Sequence, residues 1–275
     1  IIVVDNNSED ISGSKLKEKY PGIILIESKH NAGFSGGNNI GLQYSVKNGY
    51  QYSFLLNNDT FVQKDFLYEL TRFMDTHSDF AVAQPKIFFA DQRNILWNGG
   101  SYYNKLFGIT YSKRYGRKET KEQNRIQIVD WVTGCAFFVR NEILKQTGLL
   151  VENMFMYYED ADLSFRIKSI GYQLAFLPQS VIYHVAGASG KTSVKLDEGY
   201  TSPDILYYSL RNRIWFLKKY TPFYCIPAVL TYNICYYTSI LLYFFLRRRF
   251  KKFKATINAI QYGFKGMIET PVIVK

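Results

Sequence analysis

The chain has 275 residues, 47% apolar and 17% aromatic, and a formal net charge of +11. That length and apolar content support one large α/β domain with a core of its own. The three cysteines, Cys135, Cys225 and Cys235, lack zinc or Cys-x-x-Cys spacing and read as buried free thiols, while the excess of Lys and Arg points to an acidic partner: a nucleotide, a phospholipid headgroup or nucleic acid.

Ile1 to Val4 is an apolar run that ends in Asp5-Asn6-Asn7-Ser8-Glu9-Asp10. Such a run predicts a strand of a parallel sheet covered on both faces, and a chain starting inside a strand reads as a fragment lacking at least one N-terminal βα unit. Asp5, at the strand's end, can accept hydrogen bonds from a nucleobase or ribose. Ser8 and Asp10 read equally as helix caps. Strands are predicted at 1–5, 22–27, 51–56 and 80–83, with helices near 9–20, 36–48 and 64–76, the last with Asp65 at its start. This alternation predicts a mostly parallel α/β sheet.

His30-Asn31-Ala32-Gly33-Phe34-Ser35-Gly36-Gly37-Asn38-Asn39 follows the second strand. Its glycines allow close backbone approach, and a helix start offers free N–H groups to a phosphate. The spacing fits neither a dinucleotide fingerprint nor a P-loop. Leu55-Leu56-Asn57-Asn58-Asp59-Thr60 then ends a strand in three oxygen- and nitrogen-bearing side chains. Ligands of open α/β sheets sit at the carboxyl ends of strands, and one carboxylate beside amides suits magnesium or manganese. An Asx turn leading into the next helix is the competing reading.

Residues 91–128, rich in Gly, Tyr, Lys and Arg, read as a hairpin and mobile loops over a site. Residues 129–140 return to a strand, followed by a short helix at 141–147 and a longer one at 160–170. Tyr157-Tyr158-Glu159-Asp160-Ala161-Asp162 brings three carboxylates to the start of that helix. A solvated first turn explains them. The aromatic lead-in argues instead for a cleft. Arg166 can pair with Asp162 four residues earlier, which leaves Asp160 free as a general base. Gln173 to Leu177 reads as a short strand before Pro178. His184 closes another apolar strand, and the Gly187, Ser189, Gly190 and Lys191 that follow look suited to phosphate. A structural histidine and a metal or diphosphate ligand are both open. Residues 185–202 read as a flexible loop.

No charged residue occurs from Pro222 to Leu246, and Arg247, Arg248, Arg249, Lys251, Lys252 and Lys254 follow at once. An apolar run of that length beside a basic cluster reads as contact with an anionic membrane, by a span or by an interfacial hairpin interrupted at Pro222 and Pro227. A buried core helix is the alternative. Because the basic residues cluster beside this run, lipid is preferred over nucleic acid, and no nucleic acid partner is expected.

Together these segments resemble glycosyltransferase family 2, over about residues 1–217, in the order DNNSED, HNAGFSGGNN, LLNNDT, WVTGCAFFVR, YYEDADLSFR and YH. The nearest subgroup is the bacterial rhamnosyltransferase-like enzymes. The resemblance implies a GT-A (Rossmann-like) fold for 1–217, with 218–275 as a membrane-associated helical region. It also implies a nucleotide-sugar donor, a glycan or lipid-linked acceptor and inversion at the anomeric carbon, at the cytoplasmic face of a bacterial membrane. In that reading Asp160 is the catalytic base, with Glu159 as its rival, and Asp59 with His184 holds the divalent cation. Substrate contacts are expected from Asp5, Asn7, Ser8, Asn31, Gly33, Asn38, Asn58, Asp162 and Arg166, with Trp131 and Gly134 on the acceptor side. Arg211-Asn212, in YYSLRNR, matches a recurrent motif without an assigned physical role. The metal motif reads Asn-Asn-Asp where the family has Asp-x-Asp, and the family's first strand is missing. A catalytically inactive sugar-nucleotide-binding scaffold is therefore the alternative reading. A hydrolase would instead place two carboxylic acids astride the bond.

Overall fold

The computed structural model describes residues 1–185, 191–196, 199–266 and 268–274. β1 (Ile2–Asp5) leads through α1 (Ser12–Lys19) to β2 (Ile24–Glu27), which lies parallel to β1 with Ile2 opposite Ile24. The two strands form a sheet of their own and are only half-buried, not covered on both faces. α2 (Gly33–Lys47) starts at Gly33, so the glycine-rich segment is the first turns of a helix and not a loop before one. Small residues let it approach β1 closely. A Cβ on Gly41 would lie 3.5 Å from Val4, and one on Gly37 would lie 3.0 Å from the Asn6 amide.

β3 (Tyr52–Leu56), β4 (Thr60–Val62) and α3 (Phe66–Thr76) follow. Leu70 and Met74, one turn apart on α3, are fully buried against the sheet. β5 (Phe80–Phe89) continues well past residue 83 because its polar members find partners. Gln84 Nε2 donates to Asn98 at 3.0 Å, and Lys86 Nζ reaches Glu119 at 2.6 Å and Asn124 at 2.8 Å. β6 (Ile95–Asn98), β7 (Ser101–Asn104), β8 (Ile109–Ser112), β9 (Arg117–Lys118) and β10 (Gln127–Ile128) fill the stretch read as hairpin and mobile loops. The hairpin is β7–β8, and its turn is wedged: Gly108 leaves no room for a Cβ beside Leu217, and Phe107 meets Tyr232 at 5.5 Å.

β11 (Ala136–Arg140), α4 (Asn141–Thr147), α5 (Glu159–Ser169) and β12 (Gln173–His184) complete the central layer. Two predicted short strands are thus one. Pro178 is absorbed in a bulge, where the register with β5 jumps from Leu177 opposite Pro85 to Val181 opposite Lys86. That keeps a residue with no N–H out of the ladder.

The sheet overturns the expectation of mostly parallel strands. Its order is β10-β12-β5-β11-β3, and among the described residues only β12 and β5 pair parallel within it. β11 is antiparallel to both β3 and β5, and β10, β4, β6 and β9 also pair antiparallel. The α3 crossover sets β3 and β5 in the same direction, as the alternation predicted. It does not make them neighbours, because β11 arrives later in the chain and inserts between them. Phe137 of β11 and Phe176 of β12 are fully buried in the core, each contributing about 1.5–3 kcal/mol.

β13 (Lys191–Leu196) and β14 (Gly199–Thr201) form a hairpin within the segment read as a flexible loop. Gly187, Ser189 and Gly190 lie outside the described residues. α6 (Pro203–Tyr220) starts at a Ser202 cap with proline in its first turn. α7 (Ile226–Leu246) and α8 (Phe250–Lys265) follow, and α8 packs on α6 with Gly263 against Ile214. The chain then returns to the sheet domain: Leu149 N–H donates to the Val272 carbonyl at 2.9 Å, and Val274 joins the main core. The boundary expected at 217/218 falls inside α6.

Phe223–Leu246 is long and apolar enough to cross a membrane, and 17% of its most apolar 18-residue window is buried. Val229, Asn233, Tyr237 and Phe244 form its covered face, while Ile226, Leu230, Ile234, Leu242 and Phe245 are exposed. Arg213 Nε donates to Asn233 at 3.1 Å, and the Tyr237 hydroxyl donates to the Leu210 carbonyl at 2.9 Å. Cys135 and Cys225 are buried as expected, but Cys235 is exposed on α7.

Candidate active site

The ends of β3 and β12 and the start of β11 meet at one end of the sheet. Asn57 N–H donates to the Cys135 carbonyl at 3.0 Å just past β3. Thr60 pairs with His184, which brings Asp59 beside the imidazole. His184 Nε2 lies 3.1 Å from Asp59 Oδ1, yet the alignment makes no hydrogen bond, and neither that oxygen nor either ring nitrogen has another partner. Trp97 closes over the ring edge-on at 4.5 Å. Burial lowers the His184 pKa below its ordinary value, and Asp59 only partly opposes this. The ring is therefore neutral at neutral pH, with a lone pair to offer.

These orphaned atoms fit a divalent cation. Two ligands about 2.1 Å from an octahedral ion and at right angles stand about 3 Å apart. Among the described residues no three His, Cys, Asp or Glu side chains converge. A cation here would complete its coordination with substrate oxygens and water, as magnesium commonly does.

Across Cys135 stands Asp160. The Gly134 N–H donates to Asp160 Oδ2 at 2.8 Å, and the Ala161 N–H donates to Oδ1 at 2.7 Å. Cys135 senses both carboxylates: burial pushes its thiol pKa up, and Asp59 and Asp160 add to the shift. Asp160 is half-buried, whereas Glu159 is 4% exposed and its Oε2 is unpartnered. Burial raises the pKa of both. Asp160 and Asp162 push Glu159 further, while the two N–H groups hold Asp160 back. The environments thus separate a buried acid from an accessible carboxylate.

The backbone leading into α5 is strained. Phe155, Tyr157 and Tyr158 have φ of 64°, 71° and 70°. Phe155, with ψ of −58°, centres a γ-turn closed by Met156 N–H donating to the Met154 carbonyl at 2.7 Å. Each such residue costs about 1–3 kcal/mol and persists only where its surroundings enforce it.

The glycine-rich segment forms the opposite rim. Asn6 Oδ1 accepts from the Ala32 N–H at 3.0 Å, and its Nδ2 donates to Asn31 at 3.1 Å and to the Gly33 carbonyl at 2.9 Å. Asn31 in turn accepts from the Gly33 N–H at 2.9 Å. Gly33, with φ of 70°, leaves space only for the Phe155 ring, and Ser35 N–H donates to the Phe155 carbonyl at 3.0 Å. Phe34 covers Gly134, where a Cβ would lie 2.9 Å from its ring. Asp5 accepts from the Ser8 N–H at 2.8 Å, and Asn7 adopts φ of 65°.

Pairwise contacts thus run from Asn31 and Gly33, through Phe34 of the same helix, to Gly134 and Asp160, and across Cys135 to Asp59 and His184, with Asp5 next to Asn6 at the other end of this rim. Asn7, Ser8 and Asn58 are exposed beside it, and Asn38 donates to the Phe34 carbonyl of its own helix at 2.8 Å. Trp131 donates from Nε1 to the Tyr102 carbonyl at 3.1 Å and packs into the aromatic cluster under α5. Asp162 and Arg166 do not face the rim. Asp162 has no exposure, accepts from Arg166 Nε and Lys219 Nζ at 2.8 Å each and from the Tyr220 hydroxyl at 2.7 Å, and Arg166 also caps the carbonyls of Thr147, Gly148 and Leu149. Buried and held by three donors, Asp162 anchors α5 to α4 and α6, where the sequence suggested a substrate contact for it and Arg166. Asn6, Phe34 and Phe155 were not singled out by sequence. The doubled asparagine after β1 was the only signal of the first.

Residues 1–148 match the profile of Glycosyl transferase family 2. The dTDP-rhamnosyl transferase RfbF of Shigella flexneri is 23% identical over 227 residues, covering 80% of this chain and 71% of that protein. The low-salt glycan biosynthesis hexosyltransferase Agl10 of Haloferax volcanii is 29% identical over 175 residues, covering 61% of this chain and 52% of that protein. The crystal structure of GalNAc-T7 with UDP, GalNAc and Mn2+ superposes on 79% of this chain and 43% of its own, with a TM-score of 0.55 and 15% identity, a likeness of fold.

Proposed function

The chain belongs to glycosyl transferase family 2, and from that premise we propose that it moves a sugar from a nucleoside-diphosphate donor to a glycan or lipid-linked acceptor in surface polysaccharide synthesis, inverting the anomeric centre. The observation that carries this reading is the pair of carboxylates, Asp59 and Asp160, on either side of Cys135 at one sheet end. Inverting transfer needs a base at the acceptor hydroxyl and positive charge at the departing diphosphate, and the two sites answer to those needs.

Asp160 takes the proton from the acceptor hydroxyl. Its raised pKa makes it a better base than an exposed aspartate, and the Gly134 N–H favours its ionised form and aims it. Glu159 is buried, and burial with the neighbouring Asp160 raises its pKa well above the ordinary value and favours its protonated form, so it is the poorer candidate. Asp59 and His184 would hold magnesium or manganese, which when bound supplies charge to the diphosphate oxygens. The N–H groups at the start of α2, on the Asn6–Asn31 scaffold, favour the donor's phosphates, and Asp5 lies at the nucleoside end.

The S. flexneri relative's name makes dTDP-rhamnose the first donor to try. The exposed apolar face of α7 and the basic cluster after it suit an anionic membrane, at the cytoplasmic face of a bacterial cell. Because Asn233 and Tyr237 tie the other face to α6, α7 is read as lying in the membrane surface and not across it.

The test is transfer of labelled sugar to membrane-derived acceptor from a panel of nucleotide sugars, with manganese or with EDTA, and NMR of the product's anomeric configuration. Transfer from dTDP-rhamnose with inversion is expected. Absence of transfer and of donor hydrolysis across the panel, with folded protein, refutes the reading.

A further inference from the structure

We propose that Arg211 and Asn212, on α6, are positioning residues for sugar transfer: their side chains hold the Met154–Tyr158 backbone in the strained path that presents Asp160 to the acceptor. The inference rests on the reading of Asp160 as the base.

Asn212 has no exposure, and its Nδ2 is shared among three carbonyls, those of Met154 and Met156 at 2.8 Å and Tyr157 at 2.9 Å. An extended or helical segment cannot turn three carbonyls within four residues toward one amide. The positive φ of Phe155 and Tyr157 is what makes it possible. Strain and clamp are two sides of one arrangement, since the amide supplies donors to carbonyls that the strained path turns toward it.

Arg211 fixes the clamp itself. Its Nε donates to Asn212 Oδ1 at 2.9 Å, which orients the amide with Nδ2 toward the loop. Its Nη2 donates to the Asn153 and Met154 carbonyls at 2.7 and 3.2 Å. The guanidinium lies over Trp215 at 4.2 Å, Tyr208 at 5.0 Å and Tyr207 at 5.2 Å, so it is held in place by aromatic faces. Phe155 stacks on Tyr208 at 4.7 Å, closing the link between helix and loop.

The clamped loop leads straight into Glu159 and Asp160. The Asp162 N–H donates to the Tyr158 carbonyl at 2.8 Å, so the path of Tyr158 also sets the first turn of α5. The donor rim has support beyond its contacts with Phe155, because Asn6 and Asn31 also hold Ala32 and Gly33 without help from α6. Loosening the clamp should therefore displace the base more than the donor. A shift of about 1 Å at a reacting group can cost about 10²-fold in rate.

Asn212→Asp keeps the shape and removes both donors. It is expected to lower kcat about 10²-fold, while the donor KM and the affinity for dTDP with manganese, read by calorimetry, stay within about 3-fold. Arg211→Lys keeps the charge among the rings but loses the Nε donation, and is expected to lose kcat in the same way. It serves as the second variant if Asn212→Asp does not fold. The decisive measurement is a cycle with Asp160→Asn. A residue acting through Asp160 adds little once that carboxylate is gone, so the double variant should match Asp160→Asn within about 3-fold. Full additivity, or an unchanged kcat in folded Asn212→Asp and Arg211→Lys, overturns the positioning role. Near-normal turnover in Asp160→Asn alone overturns the base reading instead, and so separates the two failures.

Discussion

Asp162→Asn separates support from chemistry at the carboxylate cluster. Wild-type Asp162 is fully buried and faces Arg166, Lys219 and Tyr220 at 2.7–2.8 Å. Burial by itself would push its pKa up, but those partners outweigh it and hold the carboxyl below its ordinary value. An asparagine fits the space but turns an N–H toward one of the donors and leaves Arg166 without its counter-charge. Breaking a buried ion pair by removing one partner typically costs about 3–5 kcal/mol. Here the lower end applies, because the Lys219 side chain is 36% exposed and can turn to water, and Arg166 keeps three carbonyls. About 3 kcal/mol in a chain of this size lowers Tm by about 6–12 °C. The sign with pH follows from linkage. A depressed carboxylate pKa contributes stability that is full above the unfolded value, about 3.9, and is lost as pH falls through the lower folded value. The difference in Tm between wild type and variant should therefore be full at pH 7 and shrink below about pH 4. Thermal melts over that pH range measure it, with transfer kinetics at 20 °C on the same samples. An unchanged Tm at pH 7 would refute the anchoring argument. A large loss of kcat with Tm intact would return Asp162 to the substrate site.

Asp160→Asn should lower kcat by about 10²–10⁴-fold with little effect on dTDP affinity, by steady-state kinetics and calorimetry. The wild-type acid limb of kcat/KM should lie above the ordinary aspartate value, since activity is lost as pH falls through a raised pKa; a limb at about pH 4 or below would contradict the desolvated base. Asp59→Ala and His184→Ala should each abolish the manganese-dependent part of dTDP binding while leaving the far-ultraviolet circular dichroism unchanged, and binding that survives in both variants removes the cation from this site. Paired Leu230→Glu and Ile234→Glu changes on the exposed face of α7 should abolish cosedimentation with phosphatidylserine-containing vesicles without lowering Tm, because neither side chain lies on the face that meets α6; undiminished binding would move the membrane contact elsewhere.

The sequence by itself determined many of the elements and the chemistry-bearing residue types. Local patterns suffice for these: the apolar run closing in Asn57-Asn58-Asp59, the amphipathic period of α3, and the acidic first turn of α5 are each set within a dozen residues. It also set the direction of β3 and β5, because a strand–helix–strand unit carries its own handedness. The order of the strands did not follow. β11 separates β3 from β5 through contacts made far along the chain, and its antiparallel direction turned a sheet expected to be mostly parallel into a mostly antiparallel one. Roles within a cluster were likewise decided by packing. Glu159, Asp160 and Asp162 are indistinguishable as three acidic residues in four, yet one is a buried acid, one faces the rim on the Gly134 N–H, and one is locked to Arg166 and Lys219. The Asp162–Arg166 pair was legible from helical spacing, but not its burial, because Lys219 and Tyr220 come from α6. The strained turn at Phe155 left no trace in a run of ordinary aromatic residues. What sustains it, the Asn212 amide, lies more than fifty residues away in sequence, and only the folded chain brings that amide and those three carbonyls together.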